Sequence, residues 1–262
     1  MRAESSSWSR RCTGINRFAR AIATLLECAR ATQNIATKIP GEWDAQLKWI
    51  DKELNRLWKL RGPYPGLGSA LSAFGVTRGT LVAHEISAAA GRDKSGKADP
   101  WALLETAFSD PKSIGPITQS SLGGSLRGAW KALPAERKAL LRLLSRFFLS
   151  EEQAERFYQP TTRKKEGIVA VDADIVANPY LIFELDRLRP DSISLEVVDR
   201  GLFPDRTIRD QYPIPAPSAL DGELDVRRVR AFIVNELERA AAVGHSLQPR
   251  DWLIEAVRNS ST

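Results

Sequence analysis

Cysteine and histidine are scarce in this chain. Its 262 residues include two cysteines, Cys12 and Cys28, and two histidines, His84 and His245. Two thiols cannot build a disulfide framework, and with no paired C-x-x-C and no nearby histidine they do not make a zinc site. G-x-S-x-G and H-E-x-x-H are also absent, so the signatures of the α/β-hydrolases and the zinc peptidases are missing. No apolar run approaches the roughly 20 residues that span a bilayer. The opening residues, Met1 to Arg11, are rich in Ser and Arg and lack an apolar signal core. The expectation is a soluble, cytoplasmic protein with no membrane contact, no metal, no cofactor and no catalytic constellation of its own.

What is present is ordinary globular composition with an uneven charge. Apolar residues make up 43% and charged residues 27%, enough for a packed core and too much for wholesale disorder. Residues 1–60 carry +5, residues 61–150 carry +6 and residues 151–262 carry −5. A basic first part suits a polyanion partner, of which nucleic acid is the commonest. The same surface is also compatible with mere solubility.

Periodicity predicts a mainly α, multi-helical fold with at most minor β structure. Three regions are expected: an N-terminal helical segment at 1–41, a basic helical region at 42–150 and an acidic helical region at 151–262. In the second, Trp43, Leu47, Ile50, Leu54 and Leu57 form one apolar stripe at helical spacing. Lys48, Lys52, Arg56 and Lys59 line a neighbouring face, open to reading as a solvated flank or as a phosphate-facing stripe. Lys138, Arg142 and Arg146 repeat that pattern beside Leu140, Leu144 and Phe147. Ser150-Glu151-Glu152-Gln153 fits a capping box. Residues 109–124 read as mostly irregular, 203–218 as a proline-rich connector, and Arg163-Lys164-Lys165 as part of a loop. Ser192 to Val198 fits either a strand or a short helix.

Three motifs invite a function. Gly91-Arg92-Asp93-Lys94-Ser95-Gly96-Lys97-Ala98 nearly spells a phosphate loop, but Ala98 stands where magnesium needs a hydroxyl, and the preceding residues favour helix over strand. Asp191, Glu196 and Asp199 suggest a metal-dependent nuclease, but Val198 occupies the position where such sites carry a lysine. Pro65-Gly66-Leu67-Gly68-Ser69 has the form of a helix-hairpin-helix turn. Glycines there let a backbone approach a nucleic-acid phosphate, and the amides of Gly66, Gly68 and Ser69 would face the negative charge. The alternative is a tight turn whose glycines serve packing.

Several blocks, taken in order, resemble the helical region that precedes the ATPase core in RecD-like superfamily 1 DNA helicases and their AAA-type relatives. They are Arg61-Gly62-Pro63-Tyr64-Pro65-Gly66-Leu67-Gly68, Leu144-Ser145-Arg146-Phe147, Asn178-Pro179-Tyr180-Leu181-Ile182, Val198-Asp199-Arg200-Gly201-Leu202-Phe203-Pro204-Asp205, and Asp225-Val226-Arg227-Arg228-Val229-Arg230 with Gly244-His245-Ser246-Leu247-Gln248-Pro249. The resemblance covers roughly residues 42–258. The family's ATPase motifs would follow the last block, beyond Thr262, so the resemblance implies a non-catalytic fragment or stand-alone relative. It implies sequence-independent contact with DNA phosphates and an ATPase core as neighbour. A scaffold that docks a separate ATPase or nuclease subunit is the alternative.

Overall fold

The computed structural model describes residues 21, 24, 25, 27–29, 31, 32, 34–36, 38–91 and 98–260. The chain divides into two compact units, one ending at Pro63 and one beginning at Tyr64. The expected division near residue 150 falls inside the second unit. Among the described residues there is no strand, so the mainly α expectation holds. None of their helices is long and apolar enough to cross a membrane.

In the first unit, helix α1 spans Trp43–Arg61. The Trp43 indole N–H donates to the Ile39 carbonyl at 2.8 Å, tying the incoming chain to the first turn. Ile50, Leu54 and Leu57 are buried, as the stripe requires, whereas Lys48 and Lys52 are exposed. The helix stops where Gly62, at φ +83°, meets Pro63, since a left-handed residue followed by an imino acid cannot carry on the ladder.

The second unit is built around α2 (Leu67–Phe74), whose Leu67, Ala70, Leu71 and Ala73 are buried. It packs on α3 (Gly79–Ala90), α7 (Ala135–Leu144) and α8 (Glu151–Tyr158). The approach to α3 is close because two glycines face it. A Cβ at Gly79 would lie 2.5 Å from the Gly68 carbonyl, and one at Gly68 would lie 2.8 Å from Thr80 Cα. Ser69 Oγ donates to the Leu149 carbonyl at 2.6 Å and, across residue 150, Ser72 Oγ to Glu151 at 3.0 Å. Gln159 Nε2 donates to the Ala73 carbonyl at 2.8 Å. These cross-links are why no boundary falls at 150.

Between α3 and α7 lie α4 (Pro100–Ser109), a 3₁₀ turn at Pro111–Ser113, α5 (Pro116–Ser121) and α6 (Gly124–Ala132). The stretch expected to be irregular thus holds a helix. Its amides find an acceptor at a distance: buried Glu85 on α3 accepts from Ile117 N, Thr118 N and Thr118 Oγ1. Phe108 stacks on Trp130 at 4.0 Å, and Phe74 meets the same indole edge-on at 5.3 Å. This aromatic cluster joins α2, α4 and α6.

Helix α8 begins with the expected capping box of Ser150 and Gln153. The segment expected as a basic loop is α9 (Pro160–Lys165), and Arg163 is buried there, donating to the Ala170 carbonyl and paired with Asp172. Then follow α10 (Asp172–Ala177), α11 (Leu181–Asp186), α12 (Leu195–Leu202), α13 (Arg206–Gln211), α14 (Val226–Ala242) and α15 (Arg250–Ser260). The ambiguous segment near 195 is helical: Leu195, Val198 and Leu202 are buried at helical spacing. Helix α13, inside the proline-rich connector, starts where Asp205 accepts from Thr207 N at 3.1 Å.

Candidate nucleic-acid interface

The hairpin-like turn is packed against protein. Gly66 N donates to the Ser145 carbonyl at 2.9 Å, and Ala70 N returns to the Gly66 carbonyl. A Cβ at Gly66 would run into the Phe147 carbonyl oxygen. Gly68 is needed for the approach to α3, and the Ser69 hydroxyl is spent on Leu149. The two helices that flank the turn, α1 and α2, belong to different compact units. The glycines therefore serve contact with the chain's own backbone, and the Gly66 amide is occupied, contrary to the phosphate-cradle reading.

The cations beyond Pro134 are engaged as well. Lys138 pairs with Glu105 at 3.6 Å and lies 4.7 Å from the centre of the Trp130 ring. Arg142 donates to Asp99 at 3.2 Å and to the Tyr64 hydroxyl at 3.3 Å. Arg146 is only 2% exposed, so it is not the surface cation its spacing suggested. One of its terminal nitrogens donates to the carbonyls of Tyr212 and Pro213, and its guanidinium lies 5.1 Å from the centre of the Tyr64 ring. Burial pulls it below the ordinary arginine range. In contrast, Lys48 and Lys52 stand exposed on α1. Arg56 also lies on α1, but its side chain is outside the described residues.

Most of the blocks that carried the family resemblance meet in one packed region; the Gly244–Pro249 block is largely exposed and is not part of it. A Cβ at Gly201 would strike the Phe147 ring and lie 2.8 Å from the Arg146 carbonyl. That places the Val198–Asp205 block on the Leu144–Phe147 block, which already carries Gly66. Tyr180, fully buried, donates its phenol to Asp199 at 2.6 Å. Asp199 in turn accepts two bonds from Arg228, at 2.8 and 2.9 Å. The Asn-Pro-Tyr block, the α12 block and the Asp225–Arg230 block are thus joined by one polar chain. Burial, then the neighbouring Asp199 carboxylate, pushes the Tyr180 phenol up, so it stays a donor. Asp225 caps α14 by accepting from Arg227 N at 2.9 Å. The Arg227 side chain holds its carboxyl below the usual range.

The remaining candidates separate. Asp191 pairs with Arg156, and Asp199 belongs to the network just described, so two of the three suspected nuclease carboxylates are bound to arginines. Among the described residues no cluster of three His, Cys, Asp or Glu could hold a metal ion. The residues before Gly91 form helix α3, where a phosphate loop would require a strand; residues 92–97 lie outside the described set. Comparison with protein-family models, curated proteins and solved structures returns no match.

Proposed function

We propose that this chain is a non-catalytic helical accessory region of the RecD-like helicase kind, working beside an ATPase core and holding DNA by its phosphates without reading sequence. The observation that supports this reading is the convergence of most of the blocks that resemble that family, the largely exposed Gly244–Pro249 segment excepted. Segments as far apart as Gly66 and Arg228 meet around Phe147 and Tyr180, joined by backbone contact and the Tyr180–Asp199–Arg228 chain. In this reading DNA contact falls to exposed cations, since the Gly66 amide is already bonded to Ser145. Lys48 and Lys52 on α1 take that role, and the turn at Gly66 does not.

The test is anisotropy of labelled DNA of two unrelated sequences, titrated with the chain across a salt series. Both sequences should bind alike, and affinity should fall with salt as counterions are released. Absence of binding at low salt, or strong preference for one sequence, would overturn the proposal.

A second reading, the docking scaffold, draws on the last two helices. Leu237 and Val243 at the end of α14, Leu247 after it, and Trp252 and Ile254 on α15 are all exposed. Charged replacement of Trp252 should then abolish co-elution with a RecD-like ATPase core supplied as a separate chain, while DNA binding stays unchanged. Undiminished co-elution would remove this reading.

A further inference from the structure

Trp49 is 60% exposed in the middle of α1. An exposed indole keeps a flat aromatic face and a polar N–H available to a partner. Helical geometry places it between two surfaces. At about 100° per residue, Lys52 lies roughly 60° from Trp49 around the helix axis and Lys48 a further 40°. On its other side runs the buried stripe of Ile50, Leu54 and Leu57. Trp49 also walls an open hollow of about 450 Å³, shared with Leu25, Cys28, Ala45 and Ile50 and with the polar side chains of Thr32 and Gln46.

We propose that this hollow takes an unpaired base of single-stranded nucleic acid, stacked on Trp49, while Lys48 and Lys52 hold the neighbouring phosphates. The inference rests on the DNA-binding reading above and specifies its substrate class. Three features favour it. A standing indole can stack only on a base whose face is free, which a duplex does not offer. The hollow is lined mostly by apolar surface, as a stacking site must be. The adjoining flank is cationic, which matches a polyanion and gives an apolar helix of another protein no partner for its charge.

The test uses the full chain and a labelled oligothymidine, compared with a duplex of equal length, in four forms: parent, Trp49→Ala, Trp49→Phe, and Lys48→Ala with Lys52→Ala. The single strand should bind at least several-fold more tightly than the duplex. Trp49→Ala should weaken single-strand binding about 5- to 100-fold, the loss of one stacked base. Trp49→Phe should keep most of the affinity, which rules out misfolding as the cause. The salt slope should be unchanged in both Trp49 variants and shallower in the double lysine variant. If the parent binds DNA, yet Trp49→Ala binds the single strand equally well or the duplex binds as tightly, the stacking site is wrong and the phosphate-contact reading survives. If the parent binds no DNA at low salt, both fall. An amphipathic apolar peptide that binds the parent but not Trp49→Ala, and leaves DNA binding intact, would assign the hollow to a protein partner and overturn the inference.

Discussion

Helix α1 and the stretch from Ala135 to Phe147 carry the same written pattern. Each places cations at four-residue spacing beside an apolar stripe, Lys48 and Lys52 in one, Lys138, Arg142 and Arg146 in the other. Their fates differ. The α1 lysines are exposed, while Arg146 is buried and Arg142 is tied to Asp99 and Tyr64. Helical spacing reports which residues share a face. It does not report whether a later segment covers that face. Here residues 212–213, far along the chain, supply the carbonyls that enclose Arg146. A basic stripe read from sequence is therefore a set of charges seeking partners, and the chain itself is the first candidate.

The comparison can be broken most forcefully at the network in the second unit. Asp199→Ala would leave Arg228, whose side chain is 5% exposed, without its carboxylate, and the Tyr180 hydroxyl without its acceptor. Removing one partner of a buried pair costs about 3–5 kcal/mol. Urea unfolding should show a loss of that size. An unchanged midpoint would mean the network contributes nothing to cohesion. Next is Gly66→Ala. Its added methyl would collide with the Phe147 carbonyl, which sits in backbone already fixed by the Gly66–Ser145 hydrogen bond. Overpacking of this kind costs about 3 kcal/mol. A variant as stable as the parent would return the turn to the phosphate-cradle reading.

How much of this was legible follows from where the information lies. The apolar stripe of α1 and the Ser150 capping box depend on neighbours within one or two turns, and both appear as expected. Helix α5 was not legible, because its amides are capped by Glu85, a residue some thirty positions earlier. The fate of Arg163 was hidden for the same reason: its basic neighbours suggested a loop, but Asp172 and the Ala170 carbonyl draw it inside. Of the candidate interface, the exposed lysines of α1 were read correctly as a face. Trp49 was missed because an aromatic one position off the stripe looks like core filler until exposure is known. The polar chain from Tyr180 to Arg228 was missed too, although its three members sit in blocks already noticed for another reason.

Arg146→Met sharpens the comparison from the buried side. The apolar replacement removes the cost of a desolvated cation but leaves the Tyr212 and Pro213 carbonyls without their donor. Tyr212 is half-buried and Pro213 exposed, so water can reach their carbonyls and the loss should be that of an ordinary hydrogen bond, about 1 kcal/mol. DNA affinity and its salt slope should not move. A shallower slope with full stability would place Arg146 back at the interface.

The smallest expected effect on stability is the most diagnostic one. Lys48→Ser with Lys52→Ser removes two exposed charges from α1 and touches none of its buried stripe. Surface substitutions of this kind usually stay within about 0.5 kcal/mol, and serine lowers helix propensity only slightly. The thermal midpoint should therefore barely shift. The logarithmic slope of DNA affinity against salt should fall by about 1.4 for a single strand, since each neutralised phosphate contributes roughly 0.7. The two measurements on one sample oppose the Arg146 variant point for point: binding changes without stability here, and stability changes without binding there. If the lysine variant keeps the parent's slope, α1 is a solvated flank like any other, and the exposed apolar surface of α14 and α15 becomes the more promising face of the molecule.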